Sequence, residues 1–195
     1  VTLIIGPLEN IMKVHASIPA PLVEDMNVID RNAHRLLSLV NQLLDFRKVE
    51  EKSMVMHFSV QNISRLLHAI SERFEPSISQ QGATFTVEYP DEHFTAIVDS
   101  EAITKMISNL LTNASKYTKD LVKLSCMIMP DGESFRISVT DNGAGIREED
   151  KAKIFQAFYQ AMDNKPGTGI GLSIVKNVVD LHHGQLEVES KLCEG

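Results

Sequence analysis

The 195-residue sequence predicts an α+β chain: a two-helix hairpin over residues 1–50, a linker over 51–57, and an α/β sandwich over 58–195. Three observations carry this. Apolar residues recur at helical spacing through the first fifty positions. Past the linker, strand and helix patterns mix without strict alternation, which favours one helical layer on one sheet. A tight Asp-Asn-Gly turn follows a strand, and a second glycine-rich turn opens a helix, so the chain bends sharply at both.

In the hairpin, Leu3, Ile4, Leu8, Ile11 and Met12 share helical spacing, and Pro7 removes one backbone bond and bends that helix. Residues 17–21, rich in Pro and Ala, read as the connecting loop. The second helix carries Ile29, Ala33, Leu36, Leu37, Val40, Leu43 and Leu44 as a broad apolar stripe. Two helices cannot bury such stripes alone. A second copy of the chain is expected to complete the bundle, the alternative being the rest of the same chain.

In the sandwich, residues 63–74 read as a helix with Leu66, Leu67 and Ile70 on one face, and Gly82 closes the helical region. A strand follows over 84–89 and a helix over 102–116. Strands over 121–129 and 134–140 are joined by Pro130-Asp131-Gly132, a turn signal. A helix over 171–182 and a short strand over 186–189 end the chain.

The net charge of -7 weighs against a nucleic-acid surface, which needs clustered cations. Cys126 and Cys193 give neither a disulfide framework nor metal-ligand spacing; they read as one strand-core thiol and one free loop thiol, as in a reducing compartment. No apolar run is long enough to span a bilayer, and no signal peptide is visible.

Four segments carry chemistry. Asn109, Asn113 and Lys116, spaced four and three apart, share one helix face with Tyr117 beside them. That polar face is either a surface stripe or a site for phosphate and a hard cation, since carboxamide oxygen suits Mg²⁺ and ammonium suits phosphate. Asp141-Asn142-Gly143-Ala144-Gly145-Ile146 follows a strand; it is either an Asx-capped turn or a place where backbone approaches a ligand. Ile154-Phe155-Gln156-Ala157-Phe158-Tyr159 supplies core phenylalanines or anchors for a lid. Gly167-Thr168-Gly169-Ile170-Gly171-Leu172 opens a helix, where amides form an anion site. It lacks the Lys-Ser/Thr ending of a P-loop and follows no strand.

In this order the four segments resemble the N box, first glycine box, F box and second glycine box of the sensor histidine kinase ATP-binding domain. Residues around Leu43-Leu44-Asp45-Phe46 are similar to the second helix of the dimerisation and phosphotransfer hairpin, and residues 1–9 to its first helix just past the H box. The wording is most similar to hybrid sensor kinases. The implied fold is that of the histidine kinase and gyrase ATP-binding domains. The implied ligands are ATP and Mg²⁺.

The resemblance implies Asn113 as the Mg²⁺ ligand, and Asn109, in the catalytic position, with Lys116 beside the phosphates. It implies Tyr117 near the nucleotide, Asp141 on the adenine amino group, and Gly143, Gly145 and Ile146 as the pocket floor. Residues 159–168 become the lid, with Thr168, Gly169, Ile170, Gly171 and Leu172 at the phosphates. Implied partners are a second copy of the chain and a receiver domain, with no nucleic-acid or membrane contact by these residues. The implied setting is the cytoplasmic portion of a protein anchored in the inner membrane.

The sequence departs from the family at Gln160, where relatives place a cation, with Lys165 as a substitute. It also departs at His183-Gly184-Gln185 in place of His-Gly-Gly, and it stops at Gly195, where the family continues into a final strand. None of the seven histidines is followed by an H-box sequence. His34 is the one substitute acceptor, and it reads as a solvated bundle histidine. The chain is therefore expected to bind ATP without phosphorylating itself. The rival readings are a gyrase- or chaperone-type ATPase and a non-catalytic scaffold. The resemblance places a glutamate base of the former where this chain has Asn109, whose amide cannot take a proton from water.

Overall fold

The computed structural model describes residues 20–50, 55–90, 93–161 and 167–195, together with Gly6 and Ile11. The expected first helix and Lys165 lie outside the described residues, Gly6 and Ile11 apart; these two are helical. The chain divides into two compact units, residues 1–52 and 53–195.

In the first unit, α1 (Ala20–Glu50) is a 31-residue helix. It starts inside the stretch read as a loop, so Ala20 and Pro21 are helical; proline is tolerated in a first turn, where its missing N–H has no partner to lose. Its stripe is largely uncovered: Ile29, Leu36, Val40, Leu43 and Leu44 are all exposed, and Ala33 is buried.

The second unit begins with β1 (Ser59–Asn62) and α2 (Ile63–Gln80). The Asn62 carboxamide caps α2 by accepting from the Arg65 amide at 2.8 Å. The helix runs six residues past the expected Phe74, through Pro76, and stops before Gly82 at φ 80°. Next come β2 (Thr84–Glu88), β3 (Thr95–Val98) and α3 (Ser100–Tyr117). The chain continues through β4 (Leu121–Ile128) and β5 (Phe135–Asp141) to the one-turn α4 (Glu148–Lys151) and α5 (Gly171–Leu181).

The β4–β5 turn forms as its sequence requires. The Asp131 carboxylate accepts the amides of Glu133 and Ser134 at 3.0 Å each.

The single sheet expected from the sequence is two. β1 and β3 form an antiparallel ribbon, and β2–β4–β5 form a three-stranded sheet with β2 parallel to β4 and β5 antiparallel to it. The parallel pair requires a long crossover, which β3 and α3 supply. The expected strand over 186–189 does not form: the segment has no ladder, and Glu187 meets β5 through Arg136 at 3.3 Å.

The core lies between the helices and the larger sheet. Ile63, Leu67, Ile70 and Ile78 of α2, Ile107 and Leu111 of α3, Val122 and Leu124 of β4, and Ile174, Val175 and Val178 of α5 are fully buried. Each such side chain contributes about 1.5–3 kcal/mol by leaving water. α3 touches α2, α5, β4 and β5, so one helix positions both the core and the polar face described next.

Candidate functional site

α3 is anchored before its functional face begins. Asp99 is its N-cap, and the buried carboxylate accepts the Ala102 amide at 3.0 Å and the His57 amide at 2.7 Å. Burial pushes the Asp99 carboxyl up, but the amide hydrogen bonds of His57, Ala102 and Glu101 outweigh it, so the group sits below the ordinary carboxylate range.

Along the half-buried polar face of α3 the four expected residues divide. Asn109 donates Nδ2 to its own helix at the Lys105 carbonyl, 2.9 Å away, and its Oδ1 faces α5. The Asn113 carboxamide has no hydrogen-bond partner among the described residues. Lys116 donates Nζ to the Tyr117 hydroxyl at 2.7 Å. A Cβ at Gly167 would lie 2.9 Å from that Nζ, which places the glycine-rich turn against Lys116.

The loop after β5 closes on the end of α3. Gly143 is buried, and a Cβ there would strike the backbone carbonyl of Tyr117. At Gly145, φ is 70°, and a side chain would strike the carbonyl of Lys191. On the side where a Cβ would stand, the chain's own backbone fills the space at both glycines. The Ile146 amide likewise donates to Ser190 Oγ at 2.8 Å. Asp141 accepts the Gly143 amide at 2.9 Å, and burial pushes its carboxyl above the ordinary range while that amide lowers it.

At the start of α5 the helix lies against α3. A Cβ at Gly171 would lie 2.8 Å from Asn109 Oδ1. Ile170 is buried and serves the core, its amide reaching Thr168 Oγ1 at 3.4 Å. Gly169, at φ 70°, accepts the Phe158 amide at 3.0 Å through its carbonyl. Leu172 is half-buried. All four segments therefore meet: α3 with the loop after β5 at Gly143, α3 with the glycine-rich turn at Gly167 and Gly171, and that turn with Phe158 at Gly169.

The F-box segment meets the turn at Phe158. Ile154 is buried and Phe155 half-buried, as core residues would be, whereas Phe158 is exposed at φ 65°. Of the expected lid over 159–168, residues 162–166 lie outside the described residues. Gln160 donates Nε2 to the Gly167 carbonyl at 2.8 Å.

Two residues escaped the sequence reading. Asn142 Oδ1 accepts from the amides of Lys119, Asp120 and Leu121 and from Thr118 Oγ1, all within 3.3 Å, clamping the turn after α3. The Asp-Asn-Gly run signalled a turn but not this long-range reach. Asp150 is buried among exposed acids and accepts from Arg147 Nε at 2.7 Å and from the Tyr159 hydroxyl. The Tyr159 bond first, and then Arg147, hold its carboxyl below the ordinary range against burial. Its Glu-Glu-Asp surroundings look like a solvated surface, and the sequence carries no signal of this role.

Residues 98–195 match the family described as histidine kinase-, DNA gyrase B- and HSP90-like ATPases, and the chain belongs to that family. Within it, the similarity is to the ATP-binding core of sensor histidine kinases. Sensor histidine kinase TmoS of Ectopseudomonas mendocina is 38% identical over 192 residues, which are 96% of this chain and 20% of that protein. Hybrid signal transduction histidine kinase D of Dictyostelium discoideum is 32% identical over 197 residues, 96% of this chain and 13% of that protein. The chain thus spans a fifth or less of these relatives.

Among solved structures, full-length ShkA in complex with AMPPNP superposes with a TM-score of 0.82 at 24% identity, over 98% of this chain and 40% of that one; it shows the fold. The nucleotide-free catalytic domain of histidine kinase ThkA superposes at 0.57 with 29% identity, over 65% of this chain and 84% of that one. Among the described residues, no helix is long and apolar enough to cross a membrane.

Proposed function

We propose that these residues are the ATP-binding core of a sensor histidine kinase, which presents the γ-phosphoryl group of Mg-ATP to a histidine; a receiver aspartate then accepts it. The convergence of the Asn109–Tyr117 face, the Asp141–Ile146 loop and the Gly167–Leu172 turn carries this reading. Asn113, with its unpartnered carboxamide, is assigned to Mg²⁺. Bound Mg²⁺ neutralises phosphate charge. No three His, Cys, Asp or Glu side chains converge among the described residues, so its other ligands are assigned to phosphate oxygens and water, which Mg²⁺ favours.

The amides that open α5, from Thr168 to Leu172, are assigned with Lys116 to the phosphates. Asp141 is assigned to the adenine amino group, with Gly143, Gly145 and Ile146 as the floor and Tyr117 at its edge. Asn109 positions the phosphates. As an amide it cannot serve as a base for water, which favours transfer over hydrolysis. Dimerisation through α1 and its hairpin, a receiver partner, and a cytoplasmic position beside a membrane anchor belong to the same proposal.

The test supplies γ-labelled ATP and a separate helical hairpin carrying an H-box histidine. Acid-labile, base-stable label is expected on the hairpin and not on the 195-residue chain. Phosphate release without a labelled hairpin would favour the ATPase reading. Label on His34, which is exposed and 3.1 Å from the Asp30 carbonyl, would overturn the acceptor assignment.

A further inference from the structure

Helices α3 and α5 touch at two ends. At one, Gly171 lies against Asn109 so closely that a Cβ there would sit 2.8 Å from Oδ1. At the other, the His182 ring caps α5 and meets the N-cap of α3: the Asp99 amide donates to His182 Nε2 at 3.2 Å. The helices are therefore antiparallel. Gly171 to His182 rises about 17 Å and Asp99 to Asn109 about 15 Å at the helical rise. The two contacts thus register nearly equal lengths of the two helices.

The ring contact fixes a tautomer. A backbone N–H only donates, so Nε2 must accept. Nδ1, 2.8 Å from the Val178 carbonyl, must then carry the proton and donate it. Phe58 packs edge-on against this ring with centroids 5.2 Å apart. The residue before it, His57, donates its amide to the Asp99 carboxylate. One imidazole thus joins the end of α5, the start of α3 and the chain entering β1, with every polar group paired.

We propose that His182 is a positioning residue for the nucleotide site: it sets the offset between α3 and α5, and so the position of the glycine-rich turn relative to Asn109. Because the opposite contact brings Gly171 close against the Asn109 side chain, a slide or tilt of α5 moves the glycine-turn amides relative to Asn109. The inference rests on the nucleotide reading for its consequence, but its geometry stands apart from it.

The experiment compares the wild-type chain with His182→Leu and His182→Gln. Nitrogen-15 spectra of the wild-type ring in mildly alkaline buffer are expected to show the Nδ1–H form; an Nε2–H form overturns the proposal. In His182→Leu the amides of Gly169, Ile170 and Gly171 are expected to shift and to exchange faster with solvent. Mg-ATP is expected to bind about tenfold to a hundredfold more weakly, the scale of an ångström-size misplacement. His182→Gln, whose side-chain oxygen reaches the place of Nε2, is expected to recover most of both effects.

Unchanged glycine-turn amides in a folded Leu variant, or equal Leu and Gln variants, overturn the proposal. If Leu does not fold, the Gln variant and the ring tautomer decide. Should the wild-type chain bind no Mg-ATP, the nucleotide reading falls, and the amide shifts still decide the role of His182.

Discussion

α1 and α3 are both amphipathic helices, yet they end in opposite states. In α3, Ile107 and Leu111 are fully buried under α2, α5 and the sheet, and the polar face is left for chemistry. In α1, Leu36, Leu43 and Leu44 are half or more exposed, at 50%, 50% and 55%. Helical periodicity announces a stripe in each, but it cannot say what covers it. That depends on which surfaces the rest of the chain, or another chain, brings up.

The sharpest way to break the comparison is truncation of a buried against an exposed leucine. Leu111→Ala is expected to cost about 2–5 kcal/mol in urea unfolding, because it leaves a cavity that cannot collapse. Leu43→Ala is expected to leave the unfolding of residues 53–195 unchanged. Its effect should appear instead as a weaker concentration-dependent mass in sedimentation, if a second copy covers α1. Equal destabilisation by both would erase the distinction.

Asp141 at the end of β5 gives the next largest effect, on selectivity. Asp141 facing guanine would oppose two acceptors, a mismatch of about 1–3 kcal/mol. ATP is therefore expected to bind tighter than GTP, with Asp141→Ala narrowing the gap. Because burial raises the Asp141 carboxyl, acidification protonates it before an ordinary aspartate. The ATP preference should fade as pH falls through that raised value.

Asp99 has the opposite sign. Its folded value is depressed, so its stabilising effect is present above the ordinary aspartate range and is lost as pH falls through the lower folded value. Acid unfolding of Asp99→Asn should be less steep. A smaller contrast separates the thiols: burial pushes Cys126 up to about 11, while Cys193 is exposed. Alkylation near neutral pH should label Cys193 first.

Much of this was legible in the sequence, for physical reasons. The helix expected over 102–116 forms as α3, and its start two residues earlier is set by the Asp99 cap, which the sequence reading did not name. The β4–β5 hairpin follows from Pro-Asp-Gly. The four segments each had an ordinary surface, turn or core reading, and only their combination and order pointed to one site. What stayed hidden is long-range. The ribbon of β1 and β3 has only four residues per strand, too few to show a period. The segment over 186–189 has strand residues but gains no ladder. Asn142, Asp150 and His182 act through partners 21, 9 and 83 residues away, and no local pattern encodes such pairings.

The central claim is that the Asn113 face of α3 holds a metal–nucleotide complex. Calorimetric titration of Mg-ATP into the wild-type chain and into Asn113→Ala tests it most directly. The account predicts a wild-type chain that binds and a variant with the same melting temperature whose Mg-ATP affinity is strongly reduced. Equal Mg-ATP affinity in a folded Asn113→Ala variant, or none in the wild type, would contradict it.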